Sequence, residues 1–352
     1  MLTMPTMPTM PTNSRGLVQT VTGALDPASL GVTLMHEHLL CDVTPPELAA
    51  LGGPKVEITP ENAFEVRYHW CRHYGNHILD DMDVMASELA DFAAAGGGTI
   101  VELTIEGISP DPQGLRALAQ RSGVKIVAGC GSYIESFSGA ALARDIDQQA
   151  ARIIAAVSTG IDGSDVQAGI IGEIGISDPP TEGELRALTA AALAQEETGA
   201  SINVHPGRDP ASPGQVVAHI KAAGGDPERL VISHLDRTFR TLDEALRLVE
   251  TGAVAEWDFF GIESAHYPFA PIDLPHDGTR LDLIGGLVAR GYGKQIAISQ
   301  DICTRTRLRR FGGHGYAHIP LNVVPMMRRK GFDQRVIDQL LIETPRRLLT
   351  LV

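Results

Sequence analysis

The sequence predicts an α/β chain closed into a (β/α)8 barrel of the TIM type. Two observations predict it: short β-branched apolar runs recur eight times, and amphipathic stretches of helical period separate them. The runs are 31–35, 99–103, 125–128, 169–174, 201–204, 230–232, 253–255 and 295–299. Strands buried on both faces read as continuous apolar runs, which is the pattern of a parallel sheet. An open doubly wound sheet is the competing architecture.

In chain order, the first 14 residues repeat Met-Pro-Thr three times without apolar periodicity, so a disordered tail is expected at 1–14 and a single domain at 15–352. The first strand leads into a segment, 42–80, that is too long for a simple strand-to-helix loop. Tyr68, Trp70 and Tyr74 within it predict a helical insertion over the barrel mouth. Met85, Leu89 and Phe92 then stand at i, i+4 and i+7 ahead of Gly96-Gly97-Gly98, one helical face followed by its stop. Thr181 with Glu184, and Thr241 with Glu244, have capping-box spacing before apolar helices that end near Gly199 and Gly252.

Composition narrows the function classes. With 29 Lys and Arg against 43 Asp and Glu the formal charge is −14, the wrong sign for a protein that neutralises phosphates, so nucleic acid is excluded as a partner. Cys41, Cys71, Cys130 and Cys303 are far apart and form no CxxC pair, so neither a disulfide framework nor a thiolate zinc site is expected, and a reducing cytoplasm suits the chain. No apolar run approaches the ~20 residues of a membrane helix, and the start has no signal-peptide pattern, so no membrane partner is expected.

A barrel presents its reactive groups at the C-terminal ends of its strands. Here those ends carry His36-Glu37-His38, Glu173, His205, His234 and Asp301. Alternate residues of a strand face the same way, so His36 and His38 share one side and Glu37 faces the other. Four imidazoles and two carboxylates crowded at one mouth without a cation would be a costly arrangement, whereas as nitrogen and oxygen donors they suit zinc, manganese, cobalt or iron.

The motifs TLMHEHLLCD (33–42), GIIGEIG (169–175), NVHPGR (203–208), SHLDRT (233–238) and FGGHGYAHI (311–319) together resemble the phosphotriesterase-related proteins of the amidohydrolase superfamily, over nearly the whole chain from Val18 to Leu349. That resemblance implies a binuclear centre at the C-terminal mouth. His36, His38 and Asp301 would hold the buried α ion, His205 and His234 the more exposed β ion, and Glu173 would bridge both. Much of the family bridges with a carboxylated lysine; Glu173 stands in its place, as in one branch. A second departure is Gln300 and Cys303, where close relatives tend to carry histidines. Cys303 reads as a small packed residue, and His314 and His318 as residues that order the last loop.

The function expected is that of a metal-dependent hydrolase with two divalent ions per chain. Zn2+ is the first choice, with Mn2+, Co2+ or Fe2+ as alternatives. A metal-bridging hydroxide would attack a carbonyl substrate (a lactone, ester or N-acyl amide), with phosphotriester hydrolysis as a side activity. Asp301 would carry the proton to the leaving group. The competing readings are a true phosphotriesterase (an aryldialkylphosphatase) and a non-catalytic, metal-containing ligand-binding barrel. Arg208, Tyr133, Glu263 and Tyr267, in loops at the mouth, are the candidates for substrate contact. The partners expected are a small-molecule substrate and, from the resemblance, a second copy in a homodimer.

Overall fold

The computed structural model describes residues 15–264 and 266–352, and the tail expected at 1–14 lies outside them. In chain order the strands are β1 (Val18–Thr20), β2 (Gly23–Leu25), β3 (Val32–Glu37), β4 (Cys41–Asp42), β5 (Ile78–Leu79), β6 (Gly97–Glu102), β7 (Lys125–Cys130), β8 (Ile170–Gly175), β9 (Ile202–His205), β10 (Leu230–Ile232), β11 (Val254–Trp257) and β12 (Ile296–Ile298). Eight of them form one sheet of order β3-β6-β7-β8-β9-β10-β11-β12 in which the paired strands are parallel. These are the eight apolar runs of the sequence, and the barrel expectation holds.

Closure falls to side chains where the ladder between β12 and β3 is thin. Ser299 Oγ accepts the His36 N–H at 2.9 Å and donates to Glu37 at 2.7 Å, and the Gln300 and Ile302 N–H groups also donate to the Glu37 carboxylate. Glu37, facing away from His36 and His38, is therefore the clasp of the barrel. Burial alone would raise its carboxyl, and the three donors only partly offset this, leaving it at about 8. A fully buried cluster takes one residue from each of seven barrel strands, Met35, Val101, Val127, Ile170, Val231, Val254 and Ala297, and is sealed by Val18, Leu348 and Leu349. The larger apolar layer lies between the sheet and the helices around it.

The helices follow their sequence signals. Met82–Ala94 starts on an Asp81 cap and buries Met85, Leu89 and Phe92. It stops before Gly97, where a Cβ would strike the Phe92 ring. Both capping boxes form, at Thr181 with Glu184 and at Thr241 with Glu244. Among the described residues no helix is long and apolar enough to cross a membrane.

Between β4 and β5, which pair antiparallel, the chain makes two six-residue helices, Pro46–Leu51 and Ala63–Tyr68, and one tight turn, Trp70–Arg72. Tyr74 lies beyond that turn. Neither helix has a side-chain N-cap, and helices this short are marginal alone. Tertiary bonds hold the segment, including Arg305 Nη1 to the Val56 carbonyl at 2.9 Å and the Arg305 N–H to the Asn76 carbonyl at 2.7 Å. They set Trp70 over His77, with ring centroids 5.6 Å apart.

A buried ion network locks the loops after β10, β11 and β12. The Arg280 guanidinium bonds Asp236 and, at 2.7 Å, Asp277; Asp277 also accepts from His318 at 2.7 Å and from the Gly261 N–H at 2.9 Å. Burial alone would raise the Asp277 carboxyl, but His318, Gly261 and Arg280 hold it below the usual range. A carboxyl depressed by folding contributes stability that is complete above the unfolded value of about 4 and is lost as pH falls through the folded one. Asp277→Asn should therefore cost about 2 kcal/mol at neutral pH and flatten the fall of Tm in acid. Melting curves of both proteins between about pH 6 and 3 test this, and equal acid slopes would assign the sensitivity to other groups.

Candidate metal centre

The polar strand ends converge. His36 and His38 lie at the end of β3, Glu173 in β8, His205 at the end of β9, His234 two residues past β10 and Asp301 three past β12. The two Glu173 oxygens divide the imidazoles between them. Oε1 stands 3.6 Å from His36 Nε2 and 3.4 Å from His38 Nε2, and Oε2 stands 3.1 Å from His205 Nδ1 and 3.2 Å from His234 Nε2. Asp301 Oδ1 closes the first group, 3.3 Å from His38 Nε2 and 3.9 Å from His36 Nε2. Two donor clusters thus share one carboxylate: His36, His38 and Glu173, and Glu173, His205 and His234.

Each ring is turned inward by a partner on its far side. Asp258 takes His234 Nδ1 at 3.0 Å and lies 3.3 Å from His36 Nδ1, and Thr104 Oγ1 is 2.9 Å from His38 Nδ1. Such outer partners fix which nitrogen faces a metal. Gly172, at φ +114°, lets β8 pass close to the Asn203 carbonyl of β9, where a Cβ would collide, and so brings Glu173 to the axis. His234 and Asp301 have left-handed backbones, φ +57° and +47°, which turn their side chains back over the mouth after their strands have ended.

The fit to cations rests on one orphan and one imbalance. His36 Nε2 is buried and has no hydrogen-bond partner among the described residues, although it faces the cluster. Burial would lower the His38 imidazole, yet Asp301 and Glu173 outweigh it and push it to about 9, so the pocket calls for positive charge at that point. For Glu173, too, burial is outweighed by His36, His205 and His234, which hold its carboxyl well below the usual range. Buried nitrogen and carboxylate donors in two groups around a shared bridge are the donor set of divalent transition metals.

Above the cluster is a cavity of about 340 Å3 lined in part by Tyr133, Arg208, Arg237, Tyr267 and Arg307. Tyr133 OH is 3.2 Å from His205 Nδ1, Tyr267 packs on Phe269, and the Arg208 guanidinium lies 4.8 Å over the Phe269 ring. Glu263 stands apart. It is exposed, lines a neighbouring cavity and accepts the Asp277 N–H at 3.2 Å, because it sits at the start of the Asp277–Val288 helix.

The phosphotriesterase family model matches residues 16–349. The chain belongs to the phosphotriesterase family. It is 39% identical to the N-acetyltaurine hydrolase of Tetraodon nigroviridis, over 96% of this chain and 99% of that protein, and 40% identical to the human N-acetyltaurine hydrolase, over 95% and 98%. The crystal structure of a resiniferatoxin-binding protein from Rhodobacter sphaeroides superposes with a TM-score of 0.89 at 34% identity, covering 96% of each chain. The protein is a metal-dependent hydrolase of the phosphotriesterase family.

Gln300 and Cys303, the second departure, have structural roles here. Gln300 is buried and ties the last loop, donating to the Gly315 carbonyl at 2.7 Å and accepting the Ile319 N–H at 3.2 Å. Cys303 lines the cavity, 3.2 Å from Arg307 Nη1, and burial pushes its thiol up, so it is no ready nucleophile. His318 orders the loop through Asp277, whereas His314 Nε2 is buried without a partner.

Four residues of the site escape sequence reasoning. Asp258 directly follows β11, so the rule that found the other strand ends also covers it. Arg237 stands three residues after His234, as Arg208 does after His205, and that repeated spacing is its signal. Arg307 and His77 reach the cavity from irregular segments and have no sequence signal. Both ring nitrogens of His77 are buried and unpartnered, and burial with Arg307 nearby holds its imidazole at about 4, so it is neutral.

Proposed function

We propose that the protein hydrolyses N-acyl amides whose amine part ends in an anion, a sulfonate above all, as in an N-acyltaurine. One observation carries this reading. Arg237 Nη1 and Arg208 Nε are buried N–H groups without partners among the described residues, and both side chains line the cavity beside His205 and His234. Unpaired buried donors are expensive, and permanently charged ones invite an anion. The relatives named N-acetyltaurine hydrolase support the reading.

The residues present would hold two divalent ions, one on His36, His38 and Asp301 and one on His205 and His234, with Glu173 shared. When bound, such ions supply an activated water and polarise the scissile carbonyl. Hydrolysis adds water across the amide C–N bond and yields a carboxylate and an amine. An Asp301 carboxylate oxygen accepts the proton of that water and returns it to the amide nitrogen as the bond breaks. Asp301 Oδ2 is 3.6 Å from Arg307 Nη1, which steadies the carboxylate for this transfer. Arg208 and Arg237 grip the anion at the amine end, while Trp70, Phe259 and Phe269 keep water from the contact.

Turnover of N-acetyltaurine, N-acetylpropylamine, a lactone and an aryl dialkyl phosphate by metal-reconstituted protein tests the reading. The taurine amide should lead; a lactone or phosphotriester turned over faster would overturn it. Arg208→Ala and Arg237→Ala should each raise KM for N-acetyltaurine about tenfold, the worth of a charge-assisted pair, and leave KM for the neutral amide within about twofold. Equal changes on both substrates would make these arginines part of the scaffold.

A further inference from the structure

The cavity at the mouth has two unlike halves, and the strand order separates them. Loops after β9, β10 and β11 bring Arg208, Arg237 and Phe269 to one half. Loops after β3 and β7 bring Val43, Pro45, Ile134 and Phe137 to the other. His205 lies between them, with Nε2 3.0 Å from Arg237 Nη2 and Nδ1 3.2 Å from the Tyr133 hydroxyl. Val43, Pro45, Ile134 and Phe137 are half-buried and carry no polar side-chain atom; of the polar residues the same segments bring to the cavity, Glu47 and Ser136 are exposed, Tyr133 turns its hydroxyl to His205, and Trp70 and His77 stack on each other. Apolar faces left half open at a polar mouth are what a hydrocarbon ligand covers.

We infer that this second half is the acyl site and that the protein takes acyl chains longer than acetyl, from butanoyl to octanoyl. The inference rests on the anion reading above. An N-acyl amide has two ends. With the sulfonate on Arg208 and Arg237 and the carbonyl at the His/Glu/Asp cluster, the acyl carbons extend across the reacting centre into the opposite half. The cavity of about 340 Å3 falls in the size class that buries ligands far larger than N-acetyltaurine. Phe137, its ring 5.5 Å from that of Tyr133 and perpendicular to it within 20°, forms the firm wall of this half, and Ile134 faces the cavity beside it.

The experiment measures kcat/KM of the metal-loaded enzyme on acetyl, butanoyl, hexanoyl and octanoyl taurines and on the matched, uncharged N-acylpropylamines. A rise of about fourfold per methylene from acetyl to hexanoyl is expected in both series. Calorimetric binding of N-alkyltaurines, which have no carbonyl to cleave, should follow the same order of chain length. Ile134→Trp should lower the octanoyl-to-acetyl ratio about tenfold or more, and Phe137→Ala should raise it. Opposite signs cannot come from a shared folding defect. A profile that is flat or falls from acetyl onward, or ratios unmoved in both variants, would overturn the acyl site. Chain-length dependence without any preference for taurine over propylamine would overturn the anion reading and leave the acyl site standing.

Discussion

Glu173→Ala is expected to lose metal and activity together. The reason is geometric: among the described residues Glu173 alone has side-chain oxygens within 4 Å of all four site histidines, Oε1 facing His36 and His38 and Oε2 facing His205 and His234. Without it, four imidazoles and Asp301 would be left to hold two cations with no carboxylate shared between them. Metal analysis should show about two ions per chain in the native protein and clearly fewer in the variant. Loss of the Lewis acid is worth several kcal/mol, so kcat/KM should drop roughly 10³-fold or more. The barrel should survive, since its clasp is Glu37 and Glu173 makes no bond to the clasp. A variant that keeps both ions and native turnover would disprove the bridging role.

Asp301→Asn should separate binding from chemistry. The amide still offers an oxygen toward His36 and His38, and asparagine tolerates the left-handed backbone at 301. Metal content should therefore stay near the native value. The amide cannot take a proton from water and deliver it to the departing nitrogen, so kcat should fall roughly 10²- to 10⁴-fold with a smaller change in KM. Near-native kcat would remove Asp301 from the proton path. The two variants differ in their metal analysis, which makes each a control for the other.

The fold was legible because parallel strands and capped helices carry local signals. Eight apolar runs mark the eight barrel strands, and Thr181 with Glu184 or Thr241 with Glu244 marks a helix start wherever it occurs. The cluster was legible for a related reason: a strand end fixes where its side chain goes, so His36, His38, Glu173, His205, His234 and Asp301 could be placed from their runs alone. The limits appear where position depends on tertiary contact. Tyr74 has helical spacing from Trp70 but follows the end of the turn. Glu263 lies in the right loop, yet it serves the N–H of Asp277. Arg307 and His77 meet at the cavity from segments 230 positions apart, and no local pattern joins them.

The left-handed backbone at His234 and Asp301 limits how this protein can decay as well as how it works. At His36, His38 and His205 the backbone is ordinary, so a lineage that no longer needed turnover could accept many small residues there. At 234 and 301 only Gly, Asn, Asp and His are at ease, and most other residues add about 1 kcal/mol or more of backbone strain to whatever the lost side chain costs. Drift at those two positions is therefore channelled towards glycine and asparagine, both of which relieve or tolerate the turn and neither of which can shuttle a proton. A related chain with an intact barrel clasp and glycine or asparagine at these two positions can be read as a fold that outlived its reaction, and its metal-free form should melt no lower than that of an active relative.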